Sequence, residues 1–264
     1  MTEPDQARWI NAARRLLDHI EQTQLASIDT AADWCAEAIA AGGLVHLFGS
    51  GHSRIPLEEM FPRYGSFPGF HPMAELSMTF HTEVVGTNGQ RQAMFIEQTE
   101  GLAEVILSNF RFGEKDVMIV FSASGRSAAP IEVARGARQR GLRVVAVTSI
   151  QESKAEPARH STGTRLFDNA DLVIDIGTPP GDALVAIAAA ETPVGPGSTL
   201  ANAAIVNELK VRVAERLAAA GKLPAVLTSS SLVGPERSAA LFEAAYADHA
   251  RRLARAIAVP EESS

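Results

Sequence analysis

Residues 117–127 read Val-Met-Ile-Val-Phe-Ser-Ala-Ser-Gly-Arg-Ser, and how they fold decides the architecture. Val117 to Phe121 is an unbroken apolar run, the pattern of a strand covered on both faces. Ala128 to Arg140 follows with helical patterning, and Pro130 falls in its first turn, where a missing N–H costs little. A buried strand therefore feeds a hydroxyl-rich turn, Ser122 to Ser127, that opens a helix. The first N–H groups of a helix have no partner within it, and its dipole favours an anion there. Ser122, Ser124 and Ser127 add hydroxyl donors, and Gly125 lets the backbone come close. The stretch reads as a phosphate cradle without a lysine. The competing reading, an ordinary serine-capped turn, needs only one of these hydroxyls.

Upstream, Leu44 to Phe48 is a second apolar strand, and it ends in Gly49-Ser50-Gly51-His52-Ser53. Arg54 to Tyr64 reads as a short helix bearing Glu58 and Glu59. Pro4 to Ala41 is helical in pattern, with Trp9, Ala13, Leu16, Ile20, Ile28, Ala32, Cys35 and Ile39 at helical spacing. Gly65 to Pro72, broken by two glycines and two prolines, reads as a loop. Glu75 to Thr87 fits no single pattern, and Met94 to Phe110 reads as one amphipathic helix. Downstream, Arg143 to Thr148 and Asp171 to Ile176 are strands, separated by a polar loop and a short helix. Gly177 to Pro196 is irregular, Ser198 to Ala219 is a long helix, Leu223 to Pro235 a loop, and Glu236 to Ala256 a last helix.

Strands alternating with helices imply a parallel sheet with helices on both faces, an α/β three-layer sandwich. Ligands of such sheets sit at the carboxyl ends of the strands, near a switch point. Both Gly/Ser turns fall at such ends, so one shared site is expected. We divide the chain into an N-terminal helical segment (1–40), a ligand-binding domain (41–220) and a C-terminal loop and helix (221–264).

A composition of 46% hydrophobic and 21% charged residues is that of a globular chain. The net charge of -7 excludes nucleic acid as the main partner, because phosphate-backbone binding needs a basic face. A small anion needs only local positive potential. Cys35 is the sole cysteine, so an intrachain disulfide and a cysteine zinc cluster are excluded. Met1 to Asp18 lacks the apolar run of a secretory signal, and no stretch is long enough to span a membrane. A cytoplasmic protein without membrane partners is expected.

The turn Ser122 to Ser127 resembles the phosphate loop of the sugar isomerase (SIS) domain. Gly49-Ser-Gly-His-Ser53 resembles that family's first sugar-binding turn, and Ser198-Thr-Leu-Ala-Asn202 to Leu217 its second active-site helix. With Glu58-Glu-Met-Phe61, Val147-Thr-Ser149 and Pro180-Gly-Asp-Ala183, the ordered set is similar to a bacterial subgroup related to phosphoheptose isomerases. The resemblance covers roughly residues 40 to 220, a typical domain size. It implies a flavodoxin-like five-stranded parallel sheet that binds a phosphorylated sugar without a cofactor, in a homodimer or homotetramer. SIS enzymes remove a proton next to a carbonyl. Some isomerise aldose and ketose, some eliminate a C3 substituent, and regulatory members bind sugar phosphates without turnover.

Under that resemblance Ser122, Ser124, Gly125 and Ser127 hold the phosphate, and Ser50, Gly51, Ser53 and Asn202 meet the sugar. Proton abstraction needs a base with a pKa near the working pH, and a carboxylate in a partly apolar pocket can be raised into that role. Glu59 is the first candidate, since it matches the Glu-Leu-x-Gly-Arg segment of phosphoheptose isomerases, about one helical turn closer to the first turn. Glu58 points about 100° away on the helix, towards solvent or Arg54. His52 is a candidate to move a ring-opening proton, against a loop histidine satisfied by backbone. Glu83 is a candidate second carboxylate, against a solvent-facing residue. His71, His81, His160, Asp182 and Glu208 read as structural. Phosphoheptose isomerases carry a histidine on the second active-site helix. Ala201 to Lys210 has none here, so neither that mechanism nor a bound zinc is expected, and the scattered histidines show no metal-ligand spacing. The expected function is C2 proton abstraction from an amino or N-acetylamino hexose 6-phosphate, leading to elimination. Aldose–ketose isomerisation and a non-catalytic sugar-phosphate sensor are the alternatives.

Overall fold

The computed structural model describes residues 8–79 and 89–257. Helices α1 (Arg8–Thr23) and α2 (Leu25–Ala40) lead into strand β1 (Val45–Gly49), a 3-10 turn (Gly51–Arg54) and α3 (Ile55–Met60). Next come β2 (Phe70–Met73), α4 (Leu76–Thr79), α5 (Gly89–Ile96) and α6 (Leu102–Leu107). The centre of the chain holds β3 (Val117–Phe121), α7 (Ala128–Gln139), β4 (Arg143–Thr148), α8 (Ile150–Lys154) and β5 (Leu172–Asp175). A small antiparallel pair, β6 (Ala183–Val185) with β7 (Val194–Pro196), precedes α9 (Ser198–Ala219), α10 (Ser230–Val233) and α11 (Pro235–Ile257).

The sheet order is β2-β1-β3-β4-β5, every neighbouring pair parallel, which is the flavodoxin-like order. Successive side chains of a strand point to opposite faces, and β3 uses both. Val117, Ile119 and Phe121 pack with α2 and α9, while Met118 and Val120 pack with α6 and α7. A strand buried on both sides has no polar alternation, which is why residues 117–121 read as a continuous apolar run. Helix α2 turns Ile28, Ala31, Ala32, Cys35 and Ile39 into the first of these layers. Burial pushes the Cys35 thiol up to about 12, so it is inert. Among the described residues no helix is long and apolar enough to cross a membrane.

Four expectations are corrected. The loop expected over Gly65 to Pro72 holds the start of β2, an edge strand in which Pro72 pairs in register with Leu47. Proline is tolerated there because only one side of an edge strand needs a ladder. The helix expected over Met94 to Phe110 is broken between α5 and α6. Gly101 sits at φ 89, the left-handed region, which an α-helix cannot pass through. The helix expected to reach Tyr64 ends at Met60, because Pro62 drives Phe61 to extended backbone. The irregular stretch Gly177 to Pro196 contains β6 and β7.

At the amino ends of the strands a buried polar chain spans three of them. His46 Nε2 lies 3.0 Å from Asp116 Oδ2, and His46 Nδ1 lies 2.9 Å from His71 Nδ1. Asp116 accepts also from the backbone N–H of Leu44 (2.8 Å) and Gly113 (2.7 Å). Burial pushes the Asp116 carboxyl up, but these hydrogen bonds, led by His46, hold it below its ordinary value. The Asp116 acceptor makes His46 Nε2 a donor, so His46 Nδ1 accepts from His71. Burial, reinforced by the neighbouring His46, pulls His71 down from 6.5 to about 3. His71 is thus neutral when folded and charged when unfolded below pH 6.5, so its contribution to stability is lost as the pH falls from 6.5 towards 3. Urea melts at pH 7 and pH 5 are expected to differ less for His71→Asn than for the parent, by up to about 1.4 kcal/mol per pH unit. Equal slopes for both proteins would remove His71 from the acid response.

Candidate functional site

The register pairs Gly49 with Phe121, so Ser50 and Ser122 leave neighbouring strands side by side. This is the switch point of the sheet: β2 lies on one side of β1 and β3 on the other. In the first turn the Ser53 N–H donates to the Ser50 carbonyl (3.0 Å), closing the 3-10 turn; Gly51 and Ser53 are half-buried and His52 is exposed. In the second turn Ser122 Oγ accepts from the Gly125 N–H (3.1 Å), and the Gly125 carbonyl accepts from Leu166 (2.8 Å). The Ala123 carbonyl accepts from Ser149 N–H (3.0 Å) and Thr148 Oγ1 (3.2 Å), which ties the turn to the end of β4. Ser127 stands in extended backbone at the start of α7, and Ser124 is half-buried. The turn is rigid and opens a helix. Arg126, its one cation, is turned to Glu156.

A carboxylate absent from the sequence reading joins the two turns. Glu97 Oε2 accepts from Ser50 Oγ (2.7 Å), and Glu97 Oε1 accepts from Ser127 Oγ (3.0 Å). Its carbonyl accepts from the Ala129 N–H in the first turn of α7 (2.9 Å), and the adjacent Gln98 donates to Ser127 Oγ (2.9 Å). Glu97 opens the connector between α5 and α6. Gly101 was the available signal, since a helix break there places the residues before it in a loop.

Glu59 lies elsewhere in the first turn's surroundings. It pairs with Arg63 and accepts from Asn207 (2.8 Å), and its carbonyl accepts from Lys210 Nζ (2.7 Å). Burial pushes its carboxyl up, but hydrogen bonds from Asn207 and Arg63 and the charges of Arg63 and Lys210 hold it below the usual range. Its carboxyl thus lies on the low side of its ordinary value, where the base role expected of Glu59 called for a raised one. Burial pulls the Lys210 ammonium below its ordinary value. Glu59 borders a cleft of about 490 Å³ with Ile55, Arg63, Tyr64, Phe242 and Tyr246. Glu58 is exposed and pairs with Arg54. Asn202 is buried at the start of α9, and its Oδ1 has no hydrogen-bond partner among the described residues. Glu83 and His81 lie outside the described residues. Asp182 accepts from Ser198 N–H (2.8 Å) and Oγ (2.6 Å) and caps α9, and Glu208 pairs with Arg212.

Folding also groups side chains that the spacing left scattered. Glu100, Glu132 and His160 bring one possible ligand atom each within 4.8 Å of the others. The Thr162 N–H donates to His160 Nδ1 (3.1 Å), which makes Nε2 the proton-bearing nitrogen, and Nε2 lies 3.3 Å from Glu132 Oε1. Both Glu132 oxygens accept from the Gly101 N–H, at 3.0 and 2.8 Å. Metal ligation needs a bare Nε2 and free carboxylate oxygens. In the described arrangement the group acts as a hydrogen-bonded latch.

A family model described as the SIS domain matches residues 8–149. A UPF0309 protein of Listeria innocua is 33% identical over 224 residues, 85% of this chain and 88% of that protein. Among solved structures, a phosphoheptose isomerase from Francisella tularensis aligns with a TM-score of 0.48 at 16% identity, over 78% of this chain and 94% of that one. The Vibrio vulnificus NanR protein, solved with ManNAc-6P, aligns at 0.48 and 16%, over 84% and 65%. With a matched family model over more than half its length and a sheet of the order the resemblance implied, the chain belongs to the SIS domain family of phosphosugar-binding domains.

Proposed function

We propose that the protein is a phosphosugar enzyme that abstracts the C2 proton of an amino or N-acetylamino hexose 6-phosphate and eliminates the C3 substituent. The observation that carries this reading is the Glu97 carboxylate, held by Ser50 Oγ at 2.7 Å and Ser127 Oγ at 3.0 Å, between the two turns. A base must come within reach of the proton it abstracts, and a carboxylate standing between the two turns faces a substrate held by both. Ser122, Ser124, Ser127 and the N–H groups at the start of α7 receive the phosphate. Ser50, Gly51, Ser53 and the unpaired Asn202 Oδ1 take sugar hydroxyls. Glu97 takes the C2 proton of the open-chain aldehyde. The C–H electron pair becomes the C2=C3 double bond as the C3–O bond breaks, and the departing oxygen leaves protonated as water. His52 and Glu83 remain the candidates for the proton that the leaving oxygen takes. Glu59, ionised and paired with Arg63, serves binding and orientation.

Elimination is favoured over isomerisation because a 2-acetamido sugar cannot become a simple ketose directly, whereas it can still eliminate. The test is a panel of hexose and N-acetylhexosamine 6-phosphates followed by mass spectrometry in deuterated water. A product lighter by one water is expected. A product that keeps its water and gains one carbon-bound deuterium, at C1 of a ketose or at C2 of an epimer, assigns an isomerase or epimerase instead. Thermal stabilisation without turnover assigns a sensor.

A further inference from the structure

We propose that Glu132 is a positioning residue for the reaction centre, fixing the 97–101 connector so that the Glu97 carboxylate meets Ser50 and Ser127. The proposal rests on the reading of Glu97 as the base. Glu132 lies on α7, five residues after Ser127 and so more than one helical turn beyond it. It is only 7% exposed, and a buried carboxylate is costly unless its oxygens find donors. Its donors are the Gly101 N–H, to both oxygens, and His160 Nε2, with the Arg135 guanidinium 3.7 Å from Oε1. The other end of the connector is fastened to the start of the same helix, where Ser127 Oγ and the Ala129 N–H both bind Glu97. One helix thus holds both ends of a five-residue segment. The 160–161 loop clamps its outer side, since Glu100 accepts from the Ser161 N–H (2.7 Å) and Oγ (2.5 Å).

The carboxylate is specific for this task. A glutamine at 132 offers one acceptor oxygen, and whichever way its amide turns the NH₂ replaces an oxygen that accepts from the Gly101 N–H at 3.0 or 2.8 Å, donor against donor. The connector then loses one of its holds, and the base four residues away moves with it. A misplacement of about 1 Å at a reacting group costs on the order of a hundredfold in rate.

The experiment uses the full chain and the sugar phosphate turned over in the mass assay. Glu132→Gln is expected to lower kcat by roughly 30- to 100-fold with KM changed less than about threefold. His160→Gln, whose amide N–H replaces Nε2–H, is expected to stay within about threefold of the parent in kcat. Amide hydrogen exchange, which needs no substrate, is expected to quicken at least about tenfold over residues 97–101 in Glu132→Gln and to stay unchanged over β1 and β3. Parental kcat, or parental exchange over 97–101, overturns the proposal, and a raised KM with unchanged kcat moves Glu132 into binding and overturns it as well. If Glu132→Gln does not fold, Glu132→Asp decides in its place, keeping the charge and shortening the reach by one methylene. Glu97→Gln separates the two readings. Full turnover in that variant removes Glu97 as the base, while the exchange result still settles whether Glu132 holds the connector.

Discussion

Replacing Glu97 by glutamine is expected to lower turnover by about three orders of magnitude while sugar-phosphate binding is kept or tightened. The two side chains have the same shape, so the hydroxyls of Ser50 and Ser127 keep a neighbour at their present distances of 2.7 and 3.0 Å. What is lost is the ability to accept a proton. What is also lost is a negative charge beside the turn proposed to receive the phosphate, and two like charges about 4 Å apart repel by roughly 1 kcal/mol even in water. A tighter complex with a dead reaction is therefore the signature, read by titration calorimetry and by mass-spectrometric turnover on the same preparation. Loss of binding together with turnover would make Glu97 a structural strut of the two turns. Parental turnover would return the base to Glu59 or Glu83.

Gly49→Ala is the second large effect, and it acts on the backbone. A methyl group at that position would stand 2.2 Å from the Ser53 carbonyl oxygen and 2.8 Å from its carbon. No rotamer relieves a clash between a β-carbon and main chain. The 3-10 turn must move away from the end of β1, carrying Ser50, Gly51 and Ser53 with it. The cost is expected to be about 3 kcal/mol, at the upper end for overpacking, or a fall in Tm of roughly 6 to 12 °C for a chain of this size. Binding of sugar phosphates is expected to fall at least about a hundredfold, because Ser50 no longer reaches Glu97 and the two turns lose their register. A calorimetric melt and a titration check both, and a parental melting curve would show that the turn is softer than its contacts imply.

The central strands and α9 were legible because their burial leaves a direct mark on composition. Val117 to Phe121 is apolar throughout because both of its faces are covered, and α9 runs over the span 198–219 expected from its periodicity. β2 was hidden by Pro72, which an edge position tolerates and an interior one does not. The strand-to-helix turns were legible because a strand end and a helix start are local features. Glu97 was not, since its partners Ser50 and Ser127 lie 47 and 30 residues away. Arg63 stands one turn from Glu59 in the sequence, but Asn207, which donates to its carboxylate, and Lys210, whose charge also depresses it, arrive from a helix about 150 residues further on. Contacts of that range are set by topology, and a single sequence does not display them.

Arg252 of α11 donates to the carbonyls of Ile39 and Gly43, at 2.9 Å each, on either side of the corner between α2 and β1. Those two oxygens lie just before the first strand of the sheet, and their partner belongs to the last described helix. During synthesis the sheet, both serine turns and the connector all emerge while that corner still lacks its guanidinium. The corner before β1 thus receives this donor only after every strand of the sheet has been made. Truncation before Arg252 would leave both carbonyls of that corner without this donor.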